Sequence, residues 1–335
     1  MKLNMKNWLK EMLDADVKKA MPVLSFPSIT LMGISVVDLI SNSEKQSMGM
    51  KLIAEKCDTA ASLSMMDLSI EAEAFGAQIR ALGDEVPTVI GQFIKNEDDA
   101  KELKVPQVGA GRTGVYIEAI GKASKLITDR PVFAGVIGPF SLAGRLMDMT
   151  EIMINCQVEP DMVHETLKKT TQFIIEYIKA YKAVGANGVV LAEPAAGLLS
   201  PKLIAEFSSK YVKEIVEAVQ DDNFILIYHN CGNTIPLIDS ISSVGAAAYH
   251  FGNAIKMSRM LELIPSDTIA LGNVDPSSQF RNGTPESVRE ATLKIMKECC
   301  QHKNFIISSG CDIPPLSSWE NISAFFDAVN EFYKS

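Results

Sequence analysis

No uninterrupted apolar run in this chain is long enough to span a bilayer, which excludes a membrane-embedded helical protein. The first thirteen residues read as an amphipathic helix that carries acids. They lack the apolar stretch and small-residue cleavage site of a signal peptide, so the expected compartment is the cytoplasm. Positive charge is also scarce: 32 Lys and Arg stand against 41 Asp and Glu, a net charge of -9. A broad phosphate-binding surface needs clustered cations, so nucleic acid is not an expected partner. The six cysteines lack the dense, even spacing of a small disulfide-stapled secreted protein. No Gly-x-Gly-x-x-Gly follows the first apolar run, which removes the usual signature of a dinucleotide-binding open sheet. What remains, with 47% hydrophobic and 22% charged residues over 335 positions, is a globular chain with a large core. No linker or internal repeat divides it. One domain over 1–335 is expected, with 1–20 as an N-terminal helical extension. The sixteen methionines are read as flexible core filling.

Short apolar runs alternate with helical patterns from the middle of the chain onward. Candidate strands lie at 132–137, 188–192, 224–228, 246–250, 269–272 and 305–308, and two earlier runs at 23–26 and 61–65 complete a set of eight. Ser200-Pro201 and Thr284-Pro285 place a capping hydroxyl before a proline, opening helices at 202–219 and 286–300. Eight strands each followed by helical material predict an α/β fold, a (β/α)8 TIM barrel. The less regular stretch from about 75 to 122 reads as an insertion between strands two and three, with a short hairpin near 88–92.

In such a barrel the active site lies at the C-terminal ends of the strands. His229 and Cys231 end one run, and Cys311 ends another. Side chains at i and i+2 of an extended chain point the same way, so His229 and Cys231 can share an ion, with Cys311 as a third ligand. Three N/S ligands leave a tetrahedral zinc one open position, the catalytic pattern. Two thiolates and one imidazole leave zinc nearly neutral. An incoming thiol then loses its proton at the open position yet stays nucleophilic, so the set favours sulfur alkylation over hydrolysis.

The runs at 229–234 (His-Asn-Cys-Gly-Asn-Thr), 272–276 (Gly-Asn-Val-Asp-Pro) and 310–315 (Gly-Cys-Asp-Ile-Pro-Pro) resemble those of the methylcobalamin:coenzyme M methyltransferases, within the uroporphyrinogen decarboxylase superfamily. Supporting segments are Gly138-Pro139-Phe140, Ala192-Glu193-Pro194 and the stretch 67–76. The resemblance covers nearly the whole chain and implies a (β/α)8 barrel. It also implies Zn2+ on His229, Cys231 and Cys311, a corrinoid protein that brings methylcobalamin as methyl donor, and a small thiol acceptor such as coenzyme M. Homocysteine or a tetrahydrofolate-linked acceptor remains open. The decarboxylases carry an Arg-rich segment after the first strand that grips the porphyrinogen carboxylates, whereas 25–32 here holds no arginine. Decarboxylation is therefore the runner-up, although Asp67 falls where that family places its strand-two aspartate. A non-catalytic corrinoid- or metal-binding protein is the third reading.

Other rim residues complete the expectation. Asp67, Glu193 and Asp275 are acids at strand ends and candidates for catalytic roles, with ordinary loop capping as the alternative for Glu193 and Asp275. Asp312, beside Cys311, is placed to tune the metal through a hydrogen bond. His250 ends the sixth strand, either facing the rim or packing. Arg145 and Arg281 are candidate cations for an acidic substrate group. Phe140, Leu198 and Met32 are candidate walls of a cavity for the corrin, because cobalamin is too large for a packed barrel interior.

Overall fold

Apolar runs bounded by Gly, Pro and polar residues become strands here because both faces of each can be buried, one toward the barrel axis and one toward the helices. In the computed structural model, which describes residues 3–334, nine strands form: β1 (Ser62–Leu63), β2 (Gln78–Arg80), β3 (Thr88–Ile90), β4 (Val132–Ile137), β5 (Gly188–Ala192), β6 (Ile225–Asn230), β7 (Ala248–Phe251), β8 (Ile269–Val274) and β9 (Phe305–Ser309). β1 and β4 to β9 make one parallel sheet in that order, and helical segments lie between its successive strands.

The eighth position of the ring is filled by an extended segment rather than a regular strand, a correction to the strand expected at 23–26. The Ala60 N–H donates to the Ala20 carbonyl at 2.9 Å, and the Met21 N–H donates to Ile307 of β9 at 3.0 Å. These two bonds close the ring between β9 and the approach to β1. At the next step the ladder stops: the Val23 N–H is met by the Ser309 hydroxyl at 3.0 Å in place of a carbonyl. The result is the expected α/β barrel, with one of its eight staves held by single bonds.

Strand alternation sorts the core into two layers. Val190, Ile225, Ile227, Ala248, Ile269, Leu271 and Ile306 pack together inside the ring, with Phe133. Their sequence neighbours Val189, Leu191, Leu226, Tyr228 and Ala270 pack against the surrounding helices. The N-terminal helix Met5–Asp14 covers the lower end of the interior cluster. Met5 is fully buried, and the Trp8 ring lies 5.9 Å from that of Phe133. Residues 1 and 2 of the expected extension lie outside the described residues.

The insertion after β1 contains an antiparallel hairpin in which β2 pairs with β3, then the helices Glu97–Glu102 and Thr113–Leu126. The stretch from 201 to 219 runs as Pro201–Ile204, Ala205–Ser209 and Lys210–Val219, its middle turn of π type, and the later helix is Pro285–Cys299. No helix among the described residues is long and apolar enough to cross a membrane.

Candidate metal centre

Along β6 the inward positions are Ile225, Ile227 and His229, so the apolar filling of the barrel gives way to an imidazole at its C-terminal end. Cys231 follows two residues later, just past the strand. Cys311 arrives from the loop after β9. Ligand atoms of His229, Cys231 and Cys311 lie within 4.8 Å of one another, the one such group of three His, Cys, Asp or Glu among the described residues. His229 Nε2 is 3.1 Å from Cys231 Sγ, and the two sulfurs are 4.0 Å apart. Both cysteines are free thiols, far beyond disulfide distance. Two sulfurs bound at about 2.3 Å to one tetrahedral ion stand roughly 3.8 Å apart, so the observed spacing fits a single ion.

The two thiols act as a pair. Cys231 is held below the ordinary thiol range by its contact with Cys311, and Cys311 is pushed up to about 12 by that contact and by burial. Without a cation the pair keeps a proton that a divalent ion would displace.

The imidazole is supported from behind. His229 and His250 are register partners on β6 and β7, and their Nδ1 atoms lie 2.7 Å apart. His250 Nε2 lies 2.8 Å from the Ser308 hydroxyl of β9, which donates to the Met21 carbonyl at 2.7 Å. Burial, with His229 alongside, holds the His250 imidazolium well below its usual range, so this ring is neutral.

Glycines let the ligand loops meet. A Cβ on Gly197 would lie 2.1 Å from the Cys231 carbonyl oxygen, and one on Gly252 would lie 3.1 Å from Cys231 Cα and 3.5 Å from its sulfur. A Cβ on Gly310 would come within 2.9 Å of the Asn253 backbone nitrogen. Asn273 donates to the Gly252 and Ile255 carbonyls at 3.0 Å each, fixing the loop after β7.

The other expected site residues have defined places. Asp67 is buried with both oxygens engaged: Oδ1 accepts from the Ser69 N–H and hydroxyl, and Oδ2 accepts from Tyr116 at 2.8 Å and Arg112 at 2.5 Å. Arg112 also grips Glu73 at 2.6 Å, so this cluster ties the insertion to the barrel. Glu193 accepts the Phe140 and Ser141 N–H groups at 2.8 Å each and thereby caps the helix Pro139–Met147; burial lifts it to about 7. Asp275 caps the turn Pro276–Arg281 through Ser277 and Ser278. Asp312 accepts from the Met66 N–H at 2.8 Å, and burial raises its pKa well above the carboxylate range. Phe140 is fully buried and offers no surface to a ligand; Met32 is half-buried, and Leu198 is 71% exposed in the loop after β5. Arg281 donates to the Leu316 carbonyl, whereas Arg145 is half-buried with no hydrogen bond or ion pair to another described residue.

The sequence alone does not single out Arg112, Ser308, Gly197 or Gly252. The one signal available for Ser308 was its alternation with inward Ile306. Nothing local marks Arg112, whose partners lie 39 and 45 residues away.

A barrel with an N/S cluster at its C-terminal rim is one protein class, and comparison with known proteins gives the family. The model of the uroporphyrinogen decarboxylase (URO-D) family matches residues 18–332, and the chain belongs to that family. It is similar to the methylcobamide:CoM methyltransferase MtbA of Methanosarcina acetivorans, 28% identical over 271 residues that cover 79% of this chain and 78% of the relative. It is also similar to the uroporphyrinogen decarboxylase of Coxiella burnetii, 27% identical over 291 residues, covering 81% and 77%. Among solved structures, a methyltransferase from Methanosarcina mazei superposes with a TM-score of 0.86 at 22% identity over 99% of each chain, which confirms the fold.

Proposed function

We propose that this protein transfers a methyl group from a methylated corrinoid, carried by a partner protein, to the sulfur of a small thiol. The observation that carries the reading is the convergence of His229, Cys231 and Cys311 on the C-terminal rim. A zinc ion held by these three residues would act as a Lewis acid at its open position and lower the pKa of a thiol there.

The chain's own residues supply position and enclosure. His250 and Ser308 orient His229, Gly197 and Gly252 admit the Cys231 loop, and the N-terminal helix shuts the opposite end of the barrel. Thiol and methyl donor are therefore expected to approach from the same rim. Asp67, Glu193 and Asp275 serve by holding the surrounding loops in place. Relatives named as methylcobamide:CoM methyltransferases support corrinoid-to-thiol chemistry, and coenzyme M is the first acceptor to test. Decarboxylation fits less well. The oxygens of Asp67 are already taken up by Ser69, Tyr116 and Arg112, and 25–32 offers no cation for a polycarboxylate.

Two measurements test this. Metal analysis of chelator-free protein is expected to give about one zinc per chain, falling to a small fraction of that in Cys311→Ala. A methyl-transfer assay with methylcobalamin and a panel of thiols is expected to yield a methyl thioether. Full zinc occupancy in Cys311→Ala would remove the third ligand, and absence of transfer to every thiol in a zinc-loaded protein would remove the function.

A further inference from the structure

Behind the three candidate ligands runs a chain of hydrogen bonds whose direction can be read from its far end. The Met21 carbonyl can only accept, and the Ser308 hydroxyl lies 2.7 Å from it, so the hydroxyl proton is committed there. Ser308 Oγ is then an acceptor for His250 Nε2 at 2.8 Å, which places the His250 proton on Nε2. His250 Nδ1 must in turn accept across the 2.7 Å contact with His229 Nδ1, so His229 carries its proton on Nδ1. The free lone pair of His229 is left on Nε2, the atom that faces Cys231.

Every member of this chain is buried: His229 and His250 are 2% exposed, Met21 is 3% and Ser308 is 0%. Water is excluded from competing for these bonds. The opposite polarity would take Ser308 from the Met21 carbonyl and turn the His229 proton toward the two thiols. With both rings neutral, one arrangement of protons satisfies all three contacts, and it is the one that leaves His229 able to bind a metal.

We propose that His250 and Ser308 are positioning residues that hold His229 in the tautomer whose Nε2 lone pair faces Cys231 and Cys311, so the site is set for a cation before one arrives. Strand register makes the arrangement possible, because His229 and His250 are paired on neighbouring parallel strands and both point into the barrel. The inference rests on the metal reading given above, but its first test needs no metal.

The chain has four histidines, few enough for ring nitrogens to be assigned after 15N-histidine labelling. In the metal-free full chain at about pH 8, above the usual imidazole range, long-range 1H–15N spectra are expected to show His229 protonated on Nδ1 and His250 on Nε2. A proton on Nε2 of His229, or on Nδ1 of His250, overturns the proposal whatever the variants do. The second test is zinc affinity by chelator competition. His250→Leu keeps much of the volume and loses the acceptor, and its affinity is expected to fall by about 10- to 100-fold. His250→Asn places an oxygen where Nδ1 stood and is expected to recover most of that loss. Wild-type affinity in folded His250→Leu overturns the proposal. So does an Asn variant as weak as the Leu variant, since that would assign the effect to packing. If wild-type protein binds no zinc, the metal reading fails, and the tautomer spectra still decide whether the hydrogen-bond chain is oriented as described.

Discussion

Three buried carboxyl groups show how differently one residue type can be used. Asp67 is fully matched by donors, and Glu193 is matched by the open N–H groups of a helix start, where the helix dipole favours negative charge. Glu71 is only half matched. Its Oε1 accepts from the Ile137 N–H at 3.1 Å, but Oε2 has no partner among the described residues. Burial lifts Glu71 to about 8. An unfolded chain releases this proton near 4.5, the ordinary value of a glutamate, so between about pH 4.5 and 8 the folded state binds the extra proton. Stability must then fall as pH rises through that window, by an amount on the order of a few kcal/mol. Glu71→Gln keeps the oxygen that Ile137 needs and removes the titration. Thermal unfolding of the variant is expected to show a flatter decline from pH 5 to 8, with its largest gain over wild type at the alkaline end. Parallel curves for the two proteins would place the Glu71 proton elsewhere.

At the scale of elements, the site is made by strand ends and by what those ends lack. His229 and Cys231 were legible because i, i+2 spacing at the end of an apolar run fixes their shared face. The convergence of Cys311 followed once eight strands implied a ring. The glycines were harder to read. Gly232 and Gly310 sit beside ligands in sequence, but Gly197 and Gly252 belong to other loops, and only strand register reveals which backbone each must admit. The first stave of the barrel was misplaced for a related reason: its apolar run is real, but Ser309 supplies a side-chain oxygen where a ladder would need a carbonyl. The insertion is tied down by Arg112, a long-range partner with no local signature. The Gly197 contact yields a test. A methyl group there would meet the Cys231 backbone carbonyl at 2.1 Å, which no side-chain rotation can relieve, so the loop carrying Cys231 has to move. Gly197→Ala is expected to lose most bound zinc while its far-ultraviolet dichroism stays that of the wild type. Zinc content unchanged within error would mean the two loops separate without disturbing the cluster.

The whole molecule has two unlike ends. At the lower one, Met5 and Trp8 close the interior against Phe133. At the upper one, polar side chains replace the apolar filling, and exposed apolar groups follow the strand ends, among them Leu198 after β5 and Leu316 after β9. Leu198 is the most exposed of the large apolar side chains among the described residues, at 71%, and it follows Gly197, whose backbone lies against the Cys231 loop. Such a leucine gains little from folding where it stands, because most of its surface stays in water. It is well placed to touch a molecule that approaches the site from above. A corrin face is broad and largely apolar, and in-line transfer needs sulfur and methyl carbon within about 3–3.5 Å, so under the proposed function the donor would settle against this rim. Leu198→Asp adds a charge there. Its zinc content and melting temperature are expected to match wild type, while the KM for the methylated corrinoid rises several-fold and the KM for the thiol stays put. The change belongs to donor binding, because a carboxylate against an apolar face has to be desolvated without a partner. Equal rises in both constants would show that the substitution has disturbed the metal cluster instead, and no change in either would put the donor on another part of the rim.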